Sequence, residues 1–204
     1  LLVDVGAATR AIEAASNSFV PPVTRGLISW HFLNDTLPKS RKNYAVAGQT
    51  AAQAGTPTIS PIALAIKSLS NFHTTEQLET TEMSFFVVCR SLDTLASATT
   101  RPMMFGNYLS LPANGETVNT FGIGMYFSGA TQLEFFATRG TSTANHNRRN
   151  VNITRTTAQQ NAWSLIFCRA TATKNEMYDL TNNINISTTF ADGRFPAVGK
   201  LLIG

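Results

Sequence analysis

Charged side chains are scarce in this chain. Asp, Glu, Lys and Arg make up 14 % of its 204 residues, against about a quarter in an ordinary soluble domain. The small basic excess, a net charge of +4, is scattered apart from Lys39-Ser-Arg41-Lys42 and Arg148-Arg149. A nucleic-acid surface calls for a continuous basic stripe interleaved with stacking aromatics. No nucleic-acid partner is therefore expected, and the two basic clusters read as solvated loops. Cysteine is nearly absent: there are two, Cys89 and Cys168, too few for a disulfide framework. Each ends an apolar run and precedes an arginine, which suits a buried free thiol and a reducing cytoplasm. A single bridge between them is the alternative. No apolar run reaches the roughly 18 residues of a membrane span, so membrane insertion is not expected. No basic, apolar, small-residue leader opens the chain. The first residue is Leu1, which reads as a fragment or a processed product.

What is present is Thr, Ser and Asn, which carry the polarity without charge, and a 43 % apolar fraction. That is enough for one core of a domain of about 200–250 residues. Residues 1–24 stand apart. Leu2, Val5, Ala8, Ile12 and Ala15 recur at helical spacing, and Pro21-Pro22 ends any helix there. A short helix or arm over 1–24 and a single domain over 25–204 are predicted.

From Gly26 onward the pattern is strands and turns. Gly26–Leu33 is a first strand, stopped by Asn34-Asp35. Thr58–Ile59 and Leu64–Ile66 are short β pieces in an Ala/Gly/Pro/Thr-rich stretch. Met83–Arg90 is apolar on both faces, which predicts a central strand, and residues 91–101 read as a polar loop. Met103–Phe105 opens another strand. Phe121, Ile123, Met125 and Phe127 alternate with small or polar residues, a period of two that marks one buried face. A Ser128-Gly129 turn leads into a strand over 132–138. Residues 139–150 read as a long polar loop, followed by a short strand at 151–154. Strands are expected at 163–169, 176–180, 184–186 and 200–204, with Asn182-Asn183 as a hairpin turn because Asn tolerates positive φ. Many short strands without intervening helices predict an all-β, two-sheet antiparallel sandwich.

Five of these segments, in order, carry a resemblance. They are Gly26–Asp35, Glu82–Arg90, Leu133–Ala137 behind its Gly turn, the Trp-led 162–169 strand with 175–183, and Lys200–Gly204. Their order and spacing resemble the concanavalin A-like, laminin-G-like lectin sandwich over residues 26–204. The resemblance implies a jelly-roll fold acting as a non-catalytic adhesion or structural module. Such modules occur in phage tail fibres and other virion proteins. It implies a virion setting assembled in the host cytoplasm, surface glycans or neighbouring subunits as partners, and a homo-oligomer. The family usually adds one more strand after the Ile203-Gly204 segment. Its absence predicts an open sheet edge, covered by residues 1–24, by a neighbouring subunit, or by a strand outside this sequence.

The chemistry points away from catalysis. A glycosidase needs two carboxylates roughly 5–10 Å apart. Glu176-Met-Tyr-Asp179 puts its acids on opposite faces of a strand. Glu76, Glu79 and Glu82 read as a solvated acidic patch, and Glu134, alone in an apolar strand, as a partner for an arginine. His31, His73 and His146 form no ligand pair. No cofactor is expected, although scattered carbonyls leave a calcium site open, as in some lectin-like domains. No Gly-x-Ser-x-Gly elbow or phosphate loop occurs. Glycan binding needs planar amides or carboxylates for hydroxyls and a ring for C–H faces. The candidate residues are Asn107 and Tyr108, Arg139, Asn145, His146 and Arg148 of the polar loop, and Asn182. Asn is also an ordinary turn former, and that is the simpler role at each Asn position. Trp30 and Trp163, inside apolar strands, read as core. The rival classes are a purely architectural virion protein and a polysaccharide-cleaving enzyme.

Overall fold

The computed structural model describes residues 25–61, 63–65, 72–91, 103–107, 122–129, 131–142, 145–197 and 199–203. The predicted arm over 1–24, most of the predicted 91–101 loop, Phe121 and Tyr108 lie outside them. The described chain forms an all-β antiparallel architecture. The strands are β1 (Ala52–Ala54), β2 (Thr58–Ile59), β3 (Leu64–Ala65), β4 (Phe72–Leu78), β5 (Met83–Cys89), β6 (Met103–Gly106), β7 (Ile123–Gly129), β8 (Gln132–Ser142), β9 (Asn145–Thr154), β10 (Ser164–Ala170), β11 (Lys174–Asp179), β12 (Ile184–Thr189) and β13 (Lys200–Ile203). Two single-turn helices, α1 (Leu37–Arg41) and α2 (Thr157–Asn161), are capped by the side chains of Thr36 and Thr156.

A large sheet runs β1-β4-β13-β6-β7-β8-β9 and a small one runs β12-β11-β10-β5, with β2–β3 a separate pair. The expected two-sheet sandwich is therefore what forms. The period of two in β7 and β8 turns Ile123, Met125, Phe127, Leu133, Phe135 and Ala137 inward. They meet Met83, Cys89, Ile166, Cys168, Ala170 and Met177 of the small sheet in one buried cluster. Phe85 of β5 stacks on Phe105 of β6 with centroids 4.0 Å apart, and Cys168 Sγ lies 3.4 Å from Met125 Sδ. Burying side chains from two facing layers supplies the main stabilisation of such a fold. Both cysteines are free and buried. Burial pushes the Cys89 thiol up to about 12 and Cys168 well above its ordinary value.

Four expectations are corrected. The predicted 139–150 loop is largely strand: residues 139–142 complete β8 and 145–150 begin β9, a long pair registered from Gln132↔Thr154 to Ser142↔Asn145. Gly26–Leu33 forms no strand. The Asn43 side chain ties this extended segment down, accepting from Trp30 N and donating to Ile28 O. Among the described residues β5 is an edge strand, not a central one. Glu79 is not solvated: with no solvent-exposed side-chain surface of its own, it pairs with Arg194.

Candidate functional site

The outward face of the small sheet is built by the same alternation that builds the core. In β5 the residues Met83, Phe85, Val87 and Cys89 point inward, so Ser84, Phe86 and Val88 point out. The registers of β5, β10, β11 and β12 then stack these outward residues into rows across the sheet. One row is Val88–Leu165, extended by Leu180, whose N–H donates to Leu165 O. The next is Phe86–Phe167–Tyr178–Asn185. The third is Ser84–Arg169–Glu176–Ser187.

The middle row is aromatic. Phe86 and Phe167 have ring centroids 4.8 Å apart, and Phe167 and Tyr178 are 5.7 Å apart. Both spacings lie in the favourable range for ring pairs. The row is open to solvent at its β5 end, where Phe86 is 68 % and Val88 65 % exposed, with Leu180 at 50 %. Polar groups border it. Tyr178 Oη donates to Glu176 Oε1, which also receives Lys174 Nζ at 3.2 Å. Arg169 pairs with Glu176 at 3.9 Å. Phe86, Phe167, Arg169, Glu176, Tyr178 and Leu180 together line a shallow depression. Trp163, predicted as core, is 40 % exposed on this same face, with Arg90 lying 5.1 Å over its ring.

The residues nominated from sequence do not converge with this face. Asn107 is buried. Its amide donates to Glu79 Oε2 and Gly199 O, and its Oδ1 accepts from Ile123 N. Gly122 fits there because a Cβ would fall 2.4 Å from that oxygen. Arg139 is also buried, donating to Thr171 O, Ala172 O and Asn175 Oδ1. Desolvation, with Arg194 nearby, lowers its pKa to about 10. Arg148 lies on the outer face of the large sheet against Tyr126, Phe136 and Glu134. Asn145 and His146 are the first residues of β9. Asn182 sits in the β11–β12 turn, where it donates to Asp179 Oδ2 while Asn183 takes the positive φ. Arg139 and Asn182 thus serve opposite ends of the small sheet.

The carboxylates of the interior are engaged. Glu79 receives Arg194, Asn107 and Ala197 N. Asp179 and Arg155 form an ion pair with neither side chain exposed. Glu134 does pair with an arginine, Arg148. Among the described residues no group of three His, Cys, Asp or Glu is placed to hold a metal. His73 is buried beside Ser40 Oγ at 2.9 Å. Desolvation, reinforced by Arg41 and His31, lowers its pKa to about 4. Sequence reasoning missed the outward face because a run such as Phe-Phe-Val-Val shows that strand positions are apolar, not whether a layer covers them. Comparison with protein-family models, with curated proteins and with solved structures gives no match.

Proposed function

We propose that this chain is a non-catalytic recognition module that binds an extended glycan along the outward face of its small sheet. The observation that carries this is the solvent-facing Phe86–Phe167–Tyr178 row beside Arg169, Glu176 and Asn185. Rings offer their faces to sugar C–H groups, and planar polar groups take the hydroxyls. The engagement of Glu79, Glu134 and Asp179 in ion pairs supports a non-catalytic role. Each site is weak on this reading, so repeated copies in a particle, such as a phage or virus, would raise avidity by about 10²–10⁴.

The aliphatic Val88–Leu165–Leu180 row favours a second reading, a purely architectural subunit contact. Soluble monomers rarely expose contiguous apolar patches without a use. A glycan-array screen separates the two. Phe167→Ala and Tyr178→Ala are expected to abolish binding to any glycan found, while Asn145→Ala and His146→Ala leave it intact. The reverse pattern refutes the placement. Absence of binding to every glycan, together with assembly of the chain into a particle lattice, leaves the architectural role.

A further inference from the structure

We infer that two copies of this chain join through β5, edge to edge and antiparallel, to make one continuous eight-stranded sheet. Among the described residues nothing pairs with the far edge of β5. Its backbone polarity follows from its neighbours. Thr171 N donates to Lys174 O and Leu180 N to Leu165 O, so the odd residues of β10 bond to β11. The even residues, Ser164 to Ala170, then bond to Cys89, Val87, Phe85 and Met83. The N–H and C=O groups of Ser84, Phe86 and Val88 are therefore the ones that point away from the sheet. A strand that presents such groups is a template for another strand. β5 also lacks the usual protections: from Met83 to Cys89 it has no charge, no proline and no bulge in its pairing with β10.

The charge pattern selects a second copy and one register. Glu82 and Arg90 flank the strand, each four residues from Phe86. Neither has an ion-pair partner within the chain among the described residues, and Arg90 Nε is buried without a hydrogen-bond acceptor. Pairing β5 with its own copy about a two-fold axis at Phe86 places Glu82 of each copy opposite Arg90 of the other. Shifting by two residues sets Arg90 against Ser84 or Thr80, and an odd shift turns outward residues onto the core face. In the Phe86-centred register the outward groups of Ser84 bond to Val88 of the other copy. Those of Phe86 bond to its own equivalent. The aromatic row then runs unbroken across the axis, from three rings to six. The inference does not depend on what that row binds.

Oligomeric state and register test it on the intact chain. Sedimentation is expected to show a dimer that Glu82→Arg or Arg90→Glu alone weakens by about tenfold or more, since each creates two like-charge contacts per dimer. Combining both changes is expected to restore it. Val88→Pro removes an outward N–H, leaves the β5–β10 ladder intact, and is expected to give a folded monomer by circular dichroism. The double variant Ser84→Cys/Val88→Cys is expected to form intermolecular disulfides on mild oxidation, because opposed Cα atoms in such a pair lie about 5.5 Å apart. Ser84→Cys alone should remain reduced. A monomer up to roughly 1 mM, a dimer indifferent to the charge reversals and to Val88→Pro, or cross-linking by Ser84→Cys alone, would each overturn the inference. Glycan binding by a monomer would leave the proposed ligand face standing while sinking the dimer.

Discussion

The two sheets carry similar aromatic and charged clusters on their outward faces, yet among the described residues the rings of the two clusters differ in exposure. On the large sheet Tyr126, Glu134 and Phe136 are buried, and Arg148 lies across them with its guanidinium 4.4 Å from the Phe136 ring centroid. On the small sheet Phe167, Tyr178, Glu176 and Arg169 repeat that set of residue types, but Phe86, Val88 and Leu180 beside them are exposed. An arginine that stacks on rings and pairs with a buried carboxylate belongs to the framework. On the small sheet Glu176 is as buried as Glu134, at 8 % against 7 %, and it is the neighbouring Phe86 that stays uncovered. Residue type alone does not separate the two clusters; the exposure of their rings does.

The comparison breaks first at the buried charges. Glu79→Ala strands Arg194 in the interior, where desolvation already lowers its pKa against the opposing pull of Glu79. A loss of about 3–5 kcal/mol in urea unfolding is expected. The aromatic contrast is nearly as large. Phe136→Ala should cost about 3–5 kcal/mol, whereas Phe86→Ala should change stability by no more than about 0.5 kcal/mol. Equal losses at the two positions would mean that the small-sheet face is covered in solution. Next comes Gly124, where a Cβ would stand 2.8 Å from Phe136 Cζ. Gly124→Ala should cost about 1–3 kcal/mol by forcing that ring off the sheet.

A further effect is a pH dependence to which the α1–β4 contact contributes. His73 holds a folded pKa of about 4 against an ordinary 6.5. Between those values the unfolded chain binds the extra proton, so stability falls as pH drops through this window and levels off below it. Burial lowers His31 as well. His73→Gln should flatten part of the slope in thermal melts from pH 7 to about 4, and an unchanged slope would remove His73 as its source.

Much of the strand set was legible because alternation is a local signal. β7, β8 up to Thr138, β10 and the β11–β12 hairpin stand close to where their periodicity and turn residues placed them. The 139–150 stretch was not legible, because it is largely polar and places an arginine, Arg139, at a buried strand position. Arg139 enters the interior under cover of Phe190, 4.9 Å from its guanidinium carbon, and of carbonyls contributed by β10–β11 residues over 30 positions away. A sequence scan reads such a stretch as polar and therefore as loop. β4 was missed for a similar reason: Phe72-His-Thr-Thr-Glu-Gln-Leu78 buries His73 and Thr75 where a scan looks for aliphatic residues.

The sequence by itself determined that this chain makes antiparallel strands with apolar inner faces, because the two-residue period and the turn residues act over a few positions. It also placed each cysteine inside an apolar strand, while the inward phase that buries both as free thiols came from the packing of the two sheets. Tertiary structure alone decided which apolar faces stay open, which strand lies at an edge, and which carboxylate meets which arginine. Those outcomes depend on groups such as Glu79 and Arg194, 115 residues apart, and on whether a second layer covers a face. No local pattern carries either fact.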